Sequence, residues 1–363
     1  MLVPPLEGVA LPDHDRESRA EFAEDHPYPL FPEPGRGPRR RARGGGRPPA
    51  VAKTGCSPTP PRPRGDGFGR LGTGYAPGVV VRISHPEKVF FPDVQLTKGD
   101  VVEHYRTVAG VMLPHLAGRP LTLRRFPDGI DGQGFFQKDA SDHFPDWIET
   151  VPVERRSAPG VVHHVVCSDV DTLLYLANQA TIEFHIWSAT VPDLDHPDRL
   201  VIDIDPPAGV PVAVLRSVAR RLRDAFAARG LTPFVQATGG RGFHVVAPLE
   251  PVATHDMVRA AALDLAEGLV ADDPDLLTTA QRKDKRGDRV FLDVNRNGFG
   301  QTFVAPYSLR ARPGAPVATP LDWRELTRAT PDGFTPQRIR RRLARKPDPW
   351  STMNDHRARL PST

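Results

Sequence analysis

The stretch Arg199-Leu200-Val201-Ile202-Asp203-Ile204-Asp205-Pro206-Pro207 carries two carboxylates within an apolar run that ends at two prolines. The β-branched and leucine residues predict a strand, and side chains two apart on a strand point to the same face. Asp203 and Asp205 therefore share one face, and the three apolar side chains at 200, 202 and 204 point into a core. The pattern predicts a central, half-buried strand with acidic groups on its open face.

A second apolar run, Val290-Phe291-Leu292-Asp293-Val294-Asn295, repeats this pattern with Asp293 on the face away from its apolar neighbours. Two carboxylates from one strand and a third from a neighbouring strand can hold two divalent cations about 3.5–4 Å apart, as in polymerases and nucleases. We therefore expect Asp203, Asp205 and Asp293 to be catalytic metal ligands. The chemistry that this arrangement favours is phosphoryl or nucleotidyl transfer.

The Asp-x-Asp spacing alone carries little information, because it occurs five times in the chain. The pair Asp169/Asp171 opens a helix-like run and is better explained by N-terminal capping. Polar or proline-containing segments hold three further pairs: Asp13/Asp15, Asp193/Asp195 and Asp273/Asp275. The pair at 203 and 205 ends a β-prone apolar run, where unpaired carboxylates would be costly without cations. Its context, and not its spacing, indicates a metal site.

Composition divides the chain into a polar N-terminal segment and one large folded region. Residues 1–78 are rich in proline, glycine and arginine, including the basic run Gly35 to Arg47. Such a segment buries too little apolar surface to offset its ordering entropy. We therefore expect a disordered tail at 1–78, a catalytic domain at 79–350 and a flexible C-terminal tail at 351–363.

Charge and cysteine content narrow the function classes. The net charge of +4 suits a polyanionic partner, and much of the excess lies in the N-terminal segment and in the run Arg338 to Lys346. Cys56 and Cys167 provide neither a disulfide framework nor a zinc-ligand set. No apolar run reaches membrane-spanning length and no secretory signal is present, so we expect a cytoplasmic protein without a membrane partner. The segment Gly67 to Gly72 matches a dinucleotide fingerprint, but it follows a linker and not a strand.

Strands and helices alternate along the remaining sequence, which predicts an α/β or α+β class with a mixed sheet. The predicted strands cover about residues 79–83, 121–126, 161–166, 181–187, 199–205, 233–236, 243–247, 290–295 and 302–306. The predicted helices cover about residues 101–116, 171–179, 212–229 and 255–270, with Thr97 as a cap of the first.

The segment Thr238-Gly239-Gly240-Arg241-Gly242-Phe243-His244 is a glycine-rich turn between two predicted strands. Glycines let backbone N–H groups approach phosphate oxygens closely, and Arg241 can neutralise their charge. Taken alone, the segment is better explained as a tight hairpin with an exposed arginine. Because it follows the paired aspartates by one helix and one strand, we expect it to bind a triphosphate beside the metals.

Other candidate residues have two interpretations each. A single arginine such as Arg124 or Arg310 is usually part of a surface ion pair, whereas several together clamp phosphates. His185, two residues before Trp187, suits a half-buried structural role and a ligand contact equally well. Phe135 and Phe136 would ordinarily be core residues, but beside Lys138 they could stack on bases at a template end.

Taken in order, these landmarks resemble the polymerase domain of bacterial DNA ligase D, a member of the archaeo-eukaryotic primase superfamily. The resemblance runs from about Val79 to Trp350 through His85–Val89, Leu96–Asp100, Arg119–Leu123, Gly134–Lys138, Tyr175–Asn178, Arg199–Pro206, Gly239–His244, Asp293–Asn297 and Val304–Arg312. It implies a primase-like fold, in which a small α/β module joins an RRM-like catalytic module around one cleft.

The resemblance also implies a template-directed nucleotidyltransferase that fills gaps or extends ends in non-homologous end joining. Its substrates would be NTPs or dNTPs, and its cofactors two Mn²⁺ or Mg²⁺ ions held by Asp203, Asp205 and Asp293. The implied nucleotide-binding residues are Arg124, His185, Thr238, Gly239, Arg241, His244 and Arg310. The implied contacts to DNA are Lys88 and Lys98 at the 5′-phosphate, and Phe135, Phe136 and Lys138 at the DNA end.

The sequence contains no Lys-x-Asp-Gly adenylation motif, so the resemblance implies a stand-alone, nucleoid-associated polymerase. Its partners would be DNA ends with a 5′-phosphate, a separate ATP-dependent DNA ligase and a Ku-like end-binding protein. Arg296 stands where some relatives carry glutamine, and Arg124 and Arg241 where some carry lysine, which bears on nucleotide selectivity.

Two other functions remain open from the sequence. One is a primase that starts chains de novo on single-stranded DNA. The other is a non-catalytic DNA-end-binding module, which leaves the strand-borne aspartates unexplained, because carboxylates without cations would repel DNA.

Overall fold

The computed structural model describes residues 81–156 and 158–360, and its elements alternate as the sequence predicts. The helices are α1 (Lys98–Leu116), α2 (Val170–Asn178), α3 (Val212–Ala228), α4 (His255–Asp272), α5 (Lys283–Arg286) and α6 (Pro336–Leu343). The strands are β1 (Val89–Phe91), β2 (Leu96–Thr97), β3 (Leu121–Arg125), β4 (Phe135–Gln137), β5 (Thr150–Glu154), β6 (Val161–Val165), β7 (Thr181–Trp187), β8 (Arg199–Asp205), β9 (Phe234–Ala237), β10 (Phe243–Pro248), β11 (Leu277–Thr278), β12 (Val290–Asp293), β13 (Thr302–Val304) and β14 (Thr319–Leu321). The predicted mixed α/β class is confirmed. Within the described ranges, no helix has the length and apolar character needed to cross a membrane.

Two sheets form the body of the fold, and an apolar core lies against each. The larger sheet has the strand order β11-β12-β8-β10-β9-β14, and the smaller has the order β13-β7-β3-β4. Leu200, Ile202 and Ile204 of β8 are buried in the core that the larger sheet shares with α3 and α4. Val201 on the other face of β8 belongs to the core around the smaller sheet and α1. The alternation of β8 therefore places it between two cores, with the acidic side chains on the face toward the smaller sheet.

Capping side chains fix where two helices begin. Thr97 accepts a hydrogen bond from the Asp100 N–H, and the Asp100 carboxylate accepts one from the Thr97 N–H, which completes a capping box at α1. Asp169 caps α2 by accepting from the Thr172 N–H at 2.8 Å. The capping role predicted for the Asp169/Asp171 pair is therefore confirmed.

The start of the folded region differs from the prediction. Residues 81–83 form no strand, because the Asn178 side chain at the end of α2 binds the Arg82 carbonyl and the Ser84 N–H. The first strand of the described chain is β1, which pairs with β2. Residues 79–80, the predicted tail at 1–78, Cys56 and the segment at 67–72 lie outside the described residues.

The segment 351–360, predicted as a flexible tail, packs on the folded region. Met353 is buried, Ala358 forms a parallel bridge with Leu249, and Arg357 lies 3.1 Å from the buried Asp198 carboxylate. A buried carboxylate needs cationic partners, which gives this segment a fixed place. The prediction of a flexible tail is therefore wrong for 351–360, and residues 361–363 lie beyond the described range.

Candidate active site

The three aspartates predicted as catalytic share one face of the larger sheet. β12 pairs antiparallel with β8 so that Asp293 lies opposite Asp203, and β10 places His244 opposite Asp203 from the other side. Directly opposed residues on paired strands project to the same face. His244, Asp203 and Asp293 therefore form a row across three strands, and Asp205 follows on the same face of β8.

Arg296 shows how close these carboxylates lie. The chain leaves β12 through a 3-10 turn at Asn295–Asn297, which returns the Arg296 side chain over the sheet. Its Nε atom lies 3.1 Å from Oδ2 of Asp293 and 3.7 Å from Oδ2 of Asp203. The two oxygens are therefore no further apart than the sum of these distances, 6.8 Å. Burial lowers the pKa of Arg296, but Asp293, Asp203 and Asp205 together outweigh it and raise that pKa.

The carboxylates of this site lie close enough to repel one another. Burial and the adjacent Asp203 carboxylate raise the pKa of Asp205, against the opposing effect of two nearby arginines. Burial also acts to raise the pKa of Asp203, but His244 and Arg296 contribute to holding it below its ordinary value. Additional positive charge at this place would stabilise the ionised form of Asp205.

The donor chemistry of the group fits divalent cations. Carboxylate oxygens are the ligands that Mg²⁺ and Mn²⁺ prefer, and the separation of Asp203 from Asp293 is compatible with a bimetallic centre. Among the described residues, no group of three or more His, Cys, Asp or Glu is already arranged around one metal position. The Arg296 guanidinium instead supplies the positive charge between two of the carboxylates. Metal binding by the three aspartates stays a prediction.

The glycine-rich turn lies against the end of β8, next to Asp205. The Arg241 Nη2 atom donates to Oδ1 of Asp205 at 3.2 Å. Gly239 has φ +67°, and a Cβ on Gly242 would collide with the Ile204 carbonyl. These two positions therefore require glycine, one for its backbone conformation and the other for its contact with β8.

Internal hydrogen bonds limit what the turn can offer to a phosphate. The Gly239 N–H donates to the Pro331 carbonyl at 2.8 Å, and the Gly240 N–H donates to the Thr238 hydroxyl at 3.1 Å. That hydroxyl in turn donates to the Gly242 carbonyl at 2.8 Å. The N–H groups of Gly239 and Gly240 are therefore already used, and Arg241 is the main group that the turn offers to a phosphate.

Glu183 organises three of the predicted nucleotide contacts. Its carboxylate, only 1% exposed, accepts from Arg124 at 3.1 Å and from His185 at 3.0 Å, and lies 3.3 Å from Nε of Arg310. The Ala311 N–H donates to it at 2.9 Å. Burial alone would raise the pKa of Glu183, but Arg310, His185 and Arg124 hold it well below its usual range. The carboxylate is therefore ionised and fixes these side chains relative to one another.

Two functional residues of the site, Glu183 and Arg286, were not predicted from the sequence. A signal for Glu183 existed, because residues 183 and 185 share one face of a strand and an acid next to His185 suggests a pair. Arg286 stacks 3.7 Å over the Phe291 ring and lies 3.8 Å from Oδ2 of Asp205. No local pattern marks Arg286, because only the fold brings α5 to the end of β8.

One cleft gathers seven of the ten residues that the sequence predicts as metal or nucleotide contacts. It is lined from the smaller sheet by His185 and from the larger sheet by the carboxylates of β8. Its charged or polar side chains are His185, Asp203, Asp205, Thr238, Arg241, His244, Arg296, Thr302, Arg310 and Arg312. Arg124 lies next to this lining because it donates a hydrogen bond to Glu183, and Asp293 lies next to it because it is opposite Asp203. The arrangement sets acidic groups on one strand against several cations.

A separate cationic pair lies at the start of α1. The Lys98 N–H donates to the Lys88 carbonyl at 2.7 Å, so the two predicted phosphate contacts are close in space. Burial and the charge of Lys88 lower the pKa of Lys98. The Lys98 ammonium donates to the Ser84 hydroxyl, and that of Lys88 donates to Asp128. Two lysines at a helix N-terminus form a suitable place for an anion.

The aromatic pair on β4 is exposed. Phe135 and Phe136 are 38% and 40% exposed on an edge strand, with the Arg125 guanidinium over the first ring and that of Arg124 over the second. The core interpretation is therefore wrong for both rings. Lys138 follows at the surface. Exposed rings with flanking cations are the arrangement that stacks on bases.

Comparisons with known proteins show which family this chain belongs to. The family model described as LigD, primase-polymerase domain, matches residues 97–350. The multifunctional non-homologous end joining protein LigD of Mycolicibacterium smegmatis is 33% identical over 68% of this chain, and that of Pseudomonas aeruginosa is 32% identical over 77%. The chain spans about a third of the length of these relatives, 32% and 33%.

A solved structure is also similar. The polymerase domain of Mycobacterium tuberculosis ligase D, determined in complex with DNA, matches with a TM-score of 0.71 and 33% sequence identity. The match covers 76% of this chain and 98% of that domain. The primase-like fold expected from the sequence is therefore confirmed. The chain belongs to the LigD primase-polymerase domain family, a family of DNA-dependent nucleotidyltransferases.

Proposed function

We propose that this chain adds nucleotides to DNA ends under the direction of a template, with NTPs or dNTPs as substrates and two Mn²⁺ or Mg²⁺ ions as cofactors. The observation that supports this most directly is the row of His244, Asp203 and Asp293 across three strands. The row faces a cleft that also holds Arg241 and Arg310. Acidic groups beside several cations suit a triphosphate carried by divalent metals.

The proposed roles follow from position. Asp203, Asp205 and Asp293 would hold the two cations, which when bound would supply Lewis-acid activation of the primer 3′-hydroxyl and of the phosphate undergoing transfer. Arg241 and Arg310 would neutralise charge on the triphosphate. These five residues act on the phosphates, and the remaining contacts orient the substrate.

Glu183 would position the nucleotide contacts without touching the nucleotide. Its buried carboxylate holds Arg124, His185 and Arg310 in one arrangement before any substrate arrives. Side chains that are fixed in advance lose less conformational entropy when the substrate binds.

At the DNA end, we propose that Lys88 and Lys98 bind the 5′-phosphate and that Phe135, Phe136 and Lys138 contact the terminal bases. The relative from Mycobacterium tuberculosis was solved with DNA, which supports a DNA substrate here. The relatives are named as end-joining proteins, which supports gap filling or end extension in that repair process. An ATP-dependent DNA ligase and a Ku-like end-binding protein are the partners that we propose.

Primer extension tests the proposal. On a gapped duplex with a 5′-phosphate and Mn²⁺, the chain should add nucleotides, and Asp203→Ala should lower the rate at least about a hundredfold. Asp275→Ala is the matched control, because Asp275 is exposed and belongs to an Asp-x-Asp pair outside the cleft. Absence of nucleotide addition, or equal rates in the two variants, would refute the proposal. The same assay without a primer separates end extension from de novo priming.

A further inference from the structure

Helix α6 and the turn after it carry a cationic surface outside the cleft. Five residues line one groove there, and we name them together the α6 groove: Arg338, Arg341, Arg342, Arg345 and Lys346. The sequence places much of its excess positive charge in this run. The proposed active site uses none of these residues.

The spacing of the arginines makes the groove a linear stripe. Arg338, Arg341 and Arg345 follow one another at i, i+3 and i+7, so they share one face of the helix and its final turn. Ile339, with 0% exposure, anchors another face of α6 in the core beside α1. At 1.5 Å per residue, the stripe is about 10 Å long.

The groove has more positive charge than its neighbours neutralise. Arg342 lies 2.7 Å from Glu325, and Lys346 lies 2.7 Å from both Asp322 and Glu325. Arg338, Arg341 and Arg345 are exposed, and within residues 81–156 and 158–360 no acidic side chain forms an ion pair with any of the three. A linear arrangement of unneutralised guanidinium groups suits a polyanion with evenly spaced charges.

Backbone hydrogen bonds connect α6 to the cleft. The Pro331 carbonyl accepts from the Gly239 N–H, and the Phe334 carbonyl accepts from the Val317 N–H, each at 2.8 Å. The segment that leads into α6 is therefore bonded to the glycine-rich turn and to the strand region after Arg310. The residues just before the groove are therefore bonded to residues beside the cleft.

We propose that the α6 groove binds the phosphodiester backbone of duplex DNA outside the cleft and so forms a second contact with the substrate duplex. The phosphates of one strand rise by about 3.4 Å each along the helix axis, so a 10 Å stripe matches about three of them. Arginine suits this role because its planar fork binds phosphate through two N–H groups. The choice of DNA as the polyanion rests on the proposed function.

The test is a salt titration of DNA binding. A fluorescent 20-base-pair duplex without nucleotide or divalent cation is titrated with the wild-type protein and with Arg338→Gln/Arg341→Gln/Arg345→Gln. Glutamine keeps a similar helix propensity, and circular dichroism checks that the fold is retained. The matched control is Arg220→Gln/Arg223→Gln/Arg259→Gln, which removes the same charge from α3 and α4 on the far face of the larger sheet.

The outcomes separate the alternatives. Each lost phosphate contact lowers the slope of log K against log salt by about 0.9, so the α6 triple variant should lose about 2 to 3 slope units and the control far less. Equal slopes in all three proteins, or an equal loss in the control, would overturn the inference. If DNA binding is unchanged and only binding of a polyglutamate probe falls, the groove serves an acidic protein and the inference is wrong. Because the titration needs no catalysis, its result does not depend on whether the chain extends primers.

Discussion

Asp293 lies directly opposite Asp203 across the antiparallel pair of β12 and β8, and the Arg296 guanidinium contacts both carboxylates. This relationship places one positive charge between two acidic side chains that lie close together at the edge of a core. A guanidinium at this place offsets charge that divalent cations would otherwise offset. Arg296 is therefore both a partner of the carboxylates and a competitor of any metal that they bind.

Arg296→Gln should strengthen Mn²⁺ binding about tenfold, because the amide removes a positive charge next to the proposed metal ligands. Isothermal titration calorimetry with Mn²⁺ alone measures this. Arg106→Gln is the control, because Arg106 forms an exposed pair with Glu103 at the same i, i+3 spacing that Arg296 has with Asp293. Weaker Mn²⁺ binding in Arg296→Gln would show that the arginine positions the carboxylates and does not compete with the metal.

Glu183→Gln should lower the free energy of unfolding by about 3–5 kcal/mol, because it leaves partly buried cationic groups without their buried carboxylate. Urea denaturation at pH 7 measures the loss. Glu103→Gln, on the exposed face of α1, should change stability by no more than about 0.5 kcal/mol. Similar stability of both variants would mean that Arg124 and Arg310 find other partners, and the positioning role of Glu183 would then be wrong.

Acid should destabilise the protein through His104. Burial lowers the pKa of His104 to about 4, despite its hydrogen bond to the Tyr307 carbonyl. The unfolded chain binds this proton near pH 6.5 and the folded chain does not, so the stabilisation is complete above pH 6.5 and is lost as the pH falls toward 4.

The free energy of unfolding should fall by about 3 kcal/mol between pH 7 and 4 through this group. Urea denaturation at several pH values should show a smaller acid-induced loss for His104→Gln than for the wild type. Parallel pH profiles of the two proteins would contradict the assignment to His104.

Lys88→Ala/Lys98→Ala should remove the preference for a 5′-phosphorylated end. A hydrogen bond from an ammonium to a phosphate contributes about 1.5–3 kcal/mol, which corresponds to about 10- to 100-fold in affinity. Binding assays on duplexes with and without the phosphate measure this, and the unphosphorylated duplex is the internal control. An equal loss of affinity on both duplexes would show that the lysines bind DNA without sensing the phosphate.

The residues that the sequence located well are those with strong local patterns. The alternation in β7 and β8 predicted both strands with the bounds that the structure has. Thr97, predicted as a cap, gave the start of α1 to within one turn. The two strands follow from the burial of their apolar side chains and the start of α1 from a local hydrogen bond, so in each case local sequence and tertiary structure agree.

Some elements that the sequence missed contain residues that argue against them locally. β5 and β14 each contain a proline, Pro152 and Pro320, which argues against a strand in sequence-based prediction. β14 tolerates its proline as an edge strand, and β5 as one of only two strands in its sheet. The role of Glu183 depends on β3 and on the chain after β13 approaching β7.

Gly242 determines which positions of the glycine-rich turn can vary in evolution. Any side chain at this position would strike the Ile204 carbonyl, so β10 would have to separate from β8. The neighbouring cation at 241 has no such restriction, since its side chain is exposed. Descendants of this chain could therefore exchange lysine and arginine at 241 without a steric cost, while every replacement at 242 would disturb the strand that carries the paired acids.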